Sequence, residues 1–371
     1  MPISDRPFLR QVRHVRPDVH DPRTATVREQ IRRDFGMLVP PFALHLPAPD
    51  ALAACWAIIA EPTHGRRVGR AAKEAVAAAV SATNACPYCV DVHTTMLHAL
   101  GGRAPAAAIA SGEPDTIADP DLRAVVTWAR ATRQPEAPIL RGRPFPDDHA
   151  PELIGVAVAY HYINRMVNIF AAESPFPVAT PQLKPIMKRV ATPAFRGLLA
   201  REAHSGASLG LLPPAPLPDD LTWARGDPII ADAFGRAAAA FDAAGQQALP
   251  RPVRELVTAR LAAWHGEEPE LSRAWVNSAI ESLPAPQRPQ GRLALLAALA
   301  SYQVDAQVLA DARTRPGPAG DETLVAAAAW ASFAAARRIG SWLHTAPATT
   351  TTSPAPGPPG TRRPAPVPQA P

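Results

Sequence analysis

Cysteine is scarce in this chain, with only Cys55, Cys86 and Cys89 among 371 residues. An odd and uneven set of three excludes the disulfide framework of a small secreted protein, and a chain this long buries enough apolar surface to fold without staples. Aromatic residues are also sparse, at 6%, although 47% of the chain is hydrophobic. Alanine and leucine carry much of that content, which disfavours a β-sandwich and predicts closely packed helices, an all-α fold. No stretch approaches 18 uninterrupted apolar residues, and Met1 to Arg16 lacks the apolar segment of a secretory signal. No membrane span and no export are expected. The cytoplasm, a reducing compartment, suits two thiols kept close together.

Acidic residues are outnumbered, 33 against 38 basic ones, for a formal charge of +5. The arginines are scattered, as at Arg10, Arg32, Arg66 and Arg70, without interleaved aromatics or a helix-turn-helix pattern. No nucleic-acid partner is predicted.

The chain divides into an irregular lead-in at 1–24, a first helical unit at 25–175, a second at 176–343, and a tail at 344–371. Thr26 and Glu29 have capping-box spacing for a helix to Asp34, Pro40-Pro41 predicts an extended turn, and Asp50 is placed to cap a helix carrying Leu52, Cys55, Trp56 and Ile59. A helix over 69–83 holds Glu74. Asn84-Ala85 breaks it, Pro87 suits a first turn, and the next helix continues through His93 until Gly101-Gly102. Further helices are expected at 119–132 and 148–171. Beyond 176 the pattern begins again: Val253-Arg254-Glu255-Leu256-Val257 echoes Ala72-Lys73-Glu74-Ala75-Val76. Glu267, Glu270 and Ala274 stand where Cys86, Cys89 and His93 would fall, so the second copy is expected to be degenerate. The proline- and threonine-rich tail has no apolar periodicity with which to repay the entropy of ordering, and is expected to be disordered.

Chemistry concentrates in Glu74, Cys86, Cys89 and His93, at the spacing E-x11-C-x2-C-x3-H. A thiolate, not a thiol, attacks a peroxide, and a helix start offers partial positive charge that should acidify both thiols. Cys89 and His93, four residues apart, share one helix face. A turn at 84–86 would fold the preceding helix back so that Glu74 orients His93, which takes the proton of Cys89. A sulfenic acid on one thiol can then condense with the other into a disulfide, which an external thiol or dithiol resets. Zinc is a rival use for Cys86, Cys89 and His93, but they supply three ligands where a structural site needs four. Cys55, on an apolar stripe beside Trp56, reads as a buried structural thiol. His161, between Tyr160 and Tyr162, reads as a packed, hydrogen-bonded core residue, with Asn164-Arg165 pinning a helix contact.

At these residues the chain resembles the alkylhydroperoxidase D-like group of the carboxymuconolactone decarboxylase superfamily, over about 35–175, including Pro40 to His45 and Tyr160 to Asn168. The resemblance implies an all-helical bundle and homo-oligomeric assembly; with the internal echo it gives a duplicated alkylhydroperoxidase D-like bundle, and with the thiol pair a peroxidase acting on small hydroperoxides that needs no cofactor. It implies Cys89 as the thiol beside the relay and Cys86 as its more accessible partner. Tyr88 departs from the family's best-known peroxidases, which place a histidine before the second cysteine; a phenol is a poor base at neutral pH. The lactone decarboxylases of the superfamily typically lack the cysteine pair, so the pair points to the redox branch. A redox sensor with a reversible Cys86–Cys89 disulfide and little turnover is the alternative.

Overall fold

The computed structural model describes residues 9–17, 20–176, 184–201, 204–314 and 318–343. Among them the fold is all-α; no strand forms, and an isolated bridge joins Val12 to Ala171. The expected tail at 344–371 and much of the lead-in lie outside the described residues.

The principal helices are α1 (Ala25–Phe35), α2 (Pro49–His64), α3 (Arg70–Thr83), α4 (Pro87–Ala99), α5 (Arg103–Ser111), α6 (Pro120–Ala131), α7 (Ala150–Phe170) and α8 (Lys184–Leu199). They continue as α9 (Pro228–Ala248), α10 (Arg251–Ala263), α11 (Arg288–Leu299), α12 (Ala306–Ala312) and α13 (Pro318–Leu343). Helix existence follows the apolar spacing, whereas the starts differ from expectation. The Thr26–Glu29 capping box does not form, because a turn at Pro22–Thr24, capped by Asp21, runs straight into α1 and leaves Thr26 inside the helix. Pro40 and Pro41 open a one-turn helix, Pro40–Ala43, rather than an extended turn, since their fixed φ suits a first turn that needs no N–H. Asp50 lies within the first turn of α2 and not at its cap, because Pro49 takes the first helical position. Helices α5, α8, α9, α11 and α12 lie beyond the expected set; α8 carries Pro193 internally.

Four helices make the centre. α2 packs on α7 and α9, and α13 packs on the same two, so that α2 with α7 faces α9 with α13. Tyr162 of α7, Phe241 of α9 and Phe333 of α13 meet there, with ring centroids 4.5–6.0 Å apart. Burying such rings contributes area and edge attraction together. The Tyr162 hydroxyl donates to His45 Nε2 at 2.6 Å, because Nδ1–H is already given to the Pro41 carbonyl. α7 reaches α2 closely at Gly155, where a Cβ would come within 2.9 Å of Pro62.

α3 is pinned to α7 by a buried ion pair, Lys73 Nζ to Glu152 Oε2 at 2.6 Å. Lys73 also donates to the Thr63 and Gly65 carbonyls, while Glu152 accepts from the Arg67 and Val68 amides. The loop entering α3 is thereby fixed, and with it the position of Glu74. Lys73→Met should cost about 3 kcal/mol, because the Glu152 charge stays buried without its partner. Urea unfolding measures this, and adding Glu152→Leu should recover part of the loss.

Candidate active site

The turn between α3 and α4 sets the geometry. Cys86 N–H donates to the Ser81 carbonyl at 3.0 Å, and Ala85 takes the left-handed conformation, φ 49°, that usually falls to glycine after a helix end. Cys86 is then the N-cap of α4 and Pro87 its first residue. The two helices lie back to back, and His93 Nδ1 meets Glu74 Oε2 at 2.7 Å.

Glu74 is nearly inaccessible and uses both oxygens, for Oε1 accepts from Arg70 Nε at 2.6 Å. Burial alone would raise its pKa, but the Arg70 charge and then the charge and hydrogen bond of His93 outweigh that and hold it at about 2. An ionised carboxylate only accepts, so Nδ1 of His93 carries the hydrogen and Nε2 is left as the basic atom. The His93 ring also stands edge-on to Tyr160, centroids 4.6 Å apart.

Both thiols are free and buried, Cys86 at 1% and Cys89 at 3% exposure. Cys86 is therefore not the more accessible of the two, because the N-cap position tucks it beneath the turn. Cys89, Tyr88, His93 and Tyr160 line a largely apolar cavity of about 550 Å³; Cys86 lies outside that lining. Burial, then Cys86, pushes the Cys89 thiol well above its ordinary range, and Asn164 pulls it back in part. The acidification expected from the helix start is thus overcome by desolvation. Burial likewise raises Tyr88, which is no base at neutral pH.

Asn164 is held by a chain of buried side chains. Asn84 Nδ2 donates to Asn164 Oδ1 and to His161 Nδ1, each at 3.0 Å, and Asn164 Nδ2 donates to Ser81 Oγ at 3.0 Å. His161 Nε2 donates in turn to Thr132 Oγ1, whose own hydroxyl goes to the Ala129 carbonyl. Burial keeps His161 neutral, and it is the packed core histidine the sequence suggested. Cys55 is fully buried, as expected.

Three residues near the thiols escaped the sequence reading: Arg70, Tyr160 and Asn164. Each left a faint signal, for Arg70 stands four residues before Glu74, and Tyr160 and Asn164 lie four apart on one face of α7. Farther along the chain, Arg251 and Glu255 form an ion pair at the same i, i+4 spacing as Arg70 and Glu74, 2.7 Å apart but in solvent. No counterpart of α4 begins at Glu267, whose carboxylate accepts from the His265 amide; the next helix is the short Ala274–Ala279. Among the described residues, no group of three or more His, Cys, Asp or Glu side chains is placed to hold a metal ion, and no helix is long and apolar enough to cross a membrane.

Residues 49–131, from α2 through α6, match the carboxymuconolactone decarboxylase family. That span contains Glu74, Cys86, Cys89 and His93, and ends before Tyr160 and Asn164. An alkyl hydroperoxide reductase of Mycobacterium tuberculosis is 39% identical over 339 residues, covering 91% of this chain and 96% of the relative. The likeness therefore extends well beyond residues 49–131. No solved structure matches the chain. A relative this similar over nearly its whole length, with the family's own span lying across the thiol helices, settles the kinship: the chain belongs to the carboxymuconolactone decarboxylase family, in its alkylhydroperoxidase D-like group.

Proposed function

We propose that the chain is a thiol-dependent peroxidase, an oxidoreductase that reduces hydroperoxides through Cys89 and Cys86 and is reset by an external dithiol. The observation that carries this reading is the Arg70–Glu74–His93 chain, which ends on the cavity wall that Cys89 shares. The similarity to a relative named as an alkyl hydroperoxide reductase supports it.

In this scheme Nε2 of His93 takes the Cys89 proton as the sulfur attacks the outer oxygen of ROOH. The S–O bond forms, the O–O bond breaks, and the alkoxide leaves as ROH with the proton from His93. Cys86, deprotonated by the same histidine, then attacks the sulfenic sulfur; the disulfide forms and water departs. A dithiol returns both cysteines by exchange, supplying the two electrons that the peroxide consumed. Because Cys89 rests as a thiol, His93 acts during attack and does not merely maintain a standing thiolate.

The second unit, 176–343, is a degenerate copy with a structural role in this reading. The facing arrangement of α2 with α7 against α9 with α13, and the Arg251–Glu255 echo of Arg70–Glu74, support it.

Peroxide consumption by the purified chain with dithiothreitol is the test, and many turnovers per chain are expected. Oxidation that stops at one equivalent, leaving a Cys86–Cys89 disulfide, would replace the peroxidase by a redox sensor. The burial of both thiols favours that second reading, since a reductant must reach a disulfide with little exposed surface.

A further inference from the structure

The cavity beside Cys89 is far larger than hydrogen peroxide needs. Its volume of about 550 Å³ compares with the roughly 30 Å³ share of one water molecule and falls within the ordinary span of sites for sizeable organic ligands. Its walls are aromatic and aliphatic, with Phe42, Met96, Ile163, Phe195 and Leu198 prominent. A small hydrophilic peroxide would gain nothing from such walls. An alkyl chain gains with every methylene it buries.

One wall is α8, which contributes Ala191, Ala194, Phe195 and Leu198. α8 is fastened to α4 by Lys188, paired with Asp91 at 2.8 Å and donating to Thr94. One permanently charged side chain lines the cavity, Arg201, just beyond α8. Its guanidinium is braced by the Arg33 carbonyl at 2.8 Å, at the end of α1. The cavity thus offers a polar, base-equipped floor at Cys89 and His93, an apolar body, and a cation.

We infer that the oxidant this site is shaped for is a long-chain fatty-acyl hydroperoxide, with its peroxide group at Cys89, its chain in the apolar body and its carboxyl end at Arg201. The inference rests on the peroxidase reading for its chemistry but not for its ligand class, and the two fail separately.

Calorimetric titration with oleate and methyl oleate tests the ligand without any turnover, and stopped-flow oxidation with linoleic acid hydroperoxide, tert-butyl hydroperoxide and hydrogen peroxide tests the choice of substrate. Oleate is expected to bind, and kcat/KM for the long chain should exceed that for the tert-butyl compound by at least about 100-fold, the effect of burying only three or four of its many additional carbons. Ala194→Trp, which fills the cavity from the α8 wall, should shrink that ratio about tenfold; Ala191→Phe serves if the first variant does not fold. Arg201→Gln should weaken the free acid about fivefold and leave the methyl ester as it was. Equal responses of acid and ester would remove the carboxyl assignment and point to an esterified chain. Oleate binding without turnover of any peroxide would sink the peroxidase and spare the ligand class. Turnover of small peroxides with no oleate binding, or no preference for the long chain, would overturn the inference and spare the peroxidase.

Discussion

Cys89→Ser is expected to abolish peroxide reduction, with a fall of at least about 10³-fold to the background rate of the dithiol, whereas Cys86→Ser should keep a single turnover. The asymmetry follows from placement. Cys89 stands one helical turn from His93 and on the cavity wall, while Cys86, at the N-cap, lies outside the lining. A serine hydroxyl is too weakly acidic to replace the attacking sulfur even with His93 beside it. In Cys86→Ser the first attack remains possible, and the sulfenic acid left on Cys89 has no partner with which to condense. One equivalent of peroxide should be consumed, and dimedone should label Cys89. The reverse pattern, a burst in Cys89→Ser and none in Cys86→Ser, would exchange the two roles.

The raised Cys89 thiol adds a second check on the same pair. Alkylation by iodoacetamide, which needs a standing thiolate, should be slow at neutral pH and rise only in alkali. Peroxide, which enters the cavity and engages His93, should react much faster than alkylation predicts. Rapid neutral alkylation of Cys89 would mean that its neighbours acidify the sulfur after all.

Most of the core of the site was legible because it is local. Glu74, Cys86, Cys89 and His93 fall within two consecutive helices joined by a short turn, so spacing alone fixes which faces meet. The helix breaks at Asn84-Ala85 and Gly101-Gly102 were readable for the same reason. What escaped came from tertiary packing. Tyr160 and Asn164 reach the thiols from α7, about 70 residues away, and an isolated Tyr or Asn on a helix carries no mark of its destination. The elevated Cys89 pKa escaped because a helix start is visible in sequence, whereas the burial that outweighs it comes from tertiary packing around α4. The caps at Thr26 and Asp50 failed because nearby prolines, Pro22 and Pro49, had already settled how those helices begin. The cavity could not be read at all, since one of its walls is α8, whose internal Pro193 argues against a helix when taken alone.

Glu74→Gln separates the relay from mere packing, because the amide keeps the shape and loses the charge. It should lower the rate of Cys89 oxidation by about 10²–10³-fold, the usual range for a compromised general base. Nδ1 of His93 would no longer face a carboxylate, and the tautomer that leaves Nε2 free to accept the Cys89 proton would lose its support. Stability should change in a pH-dependent way. In the folded chain the Glu74 carboxyl is held at about 2, below its ordinary 4.5, so the wild type has a stabilising contribution above pH 5 that fades as pH falls towards 2. The displacement corresponds to roughly 3 kcal/mol, some of which returns when Arg70, about a third exposed along its side chain, turns to water. Urea unfolding from pH 7 down to pH 2.5 should therefore show the gap between wild type and Glu74→Gln closing as acid removes what the substitution had already removed. Glu74→Asp, which restores charge but shortens reach, should recover the acid sensitivity of stability better than it recovers the oxidation rate. A Glu74→Gln protein that oxidises Cys89 at the wild-type rate, with only its stability altered, would reduce the Glu74–His93 contact to a structural tie.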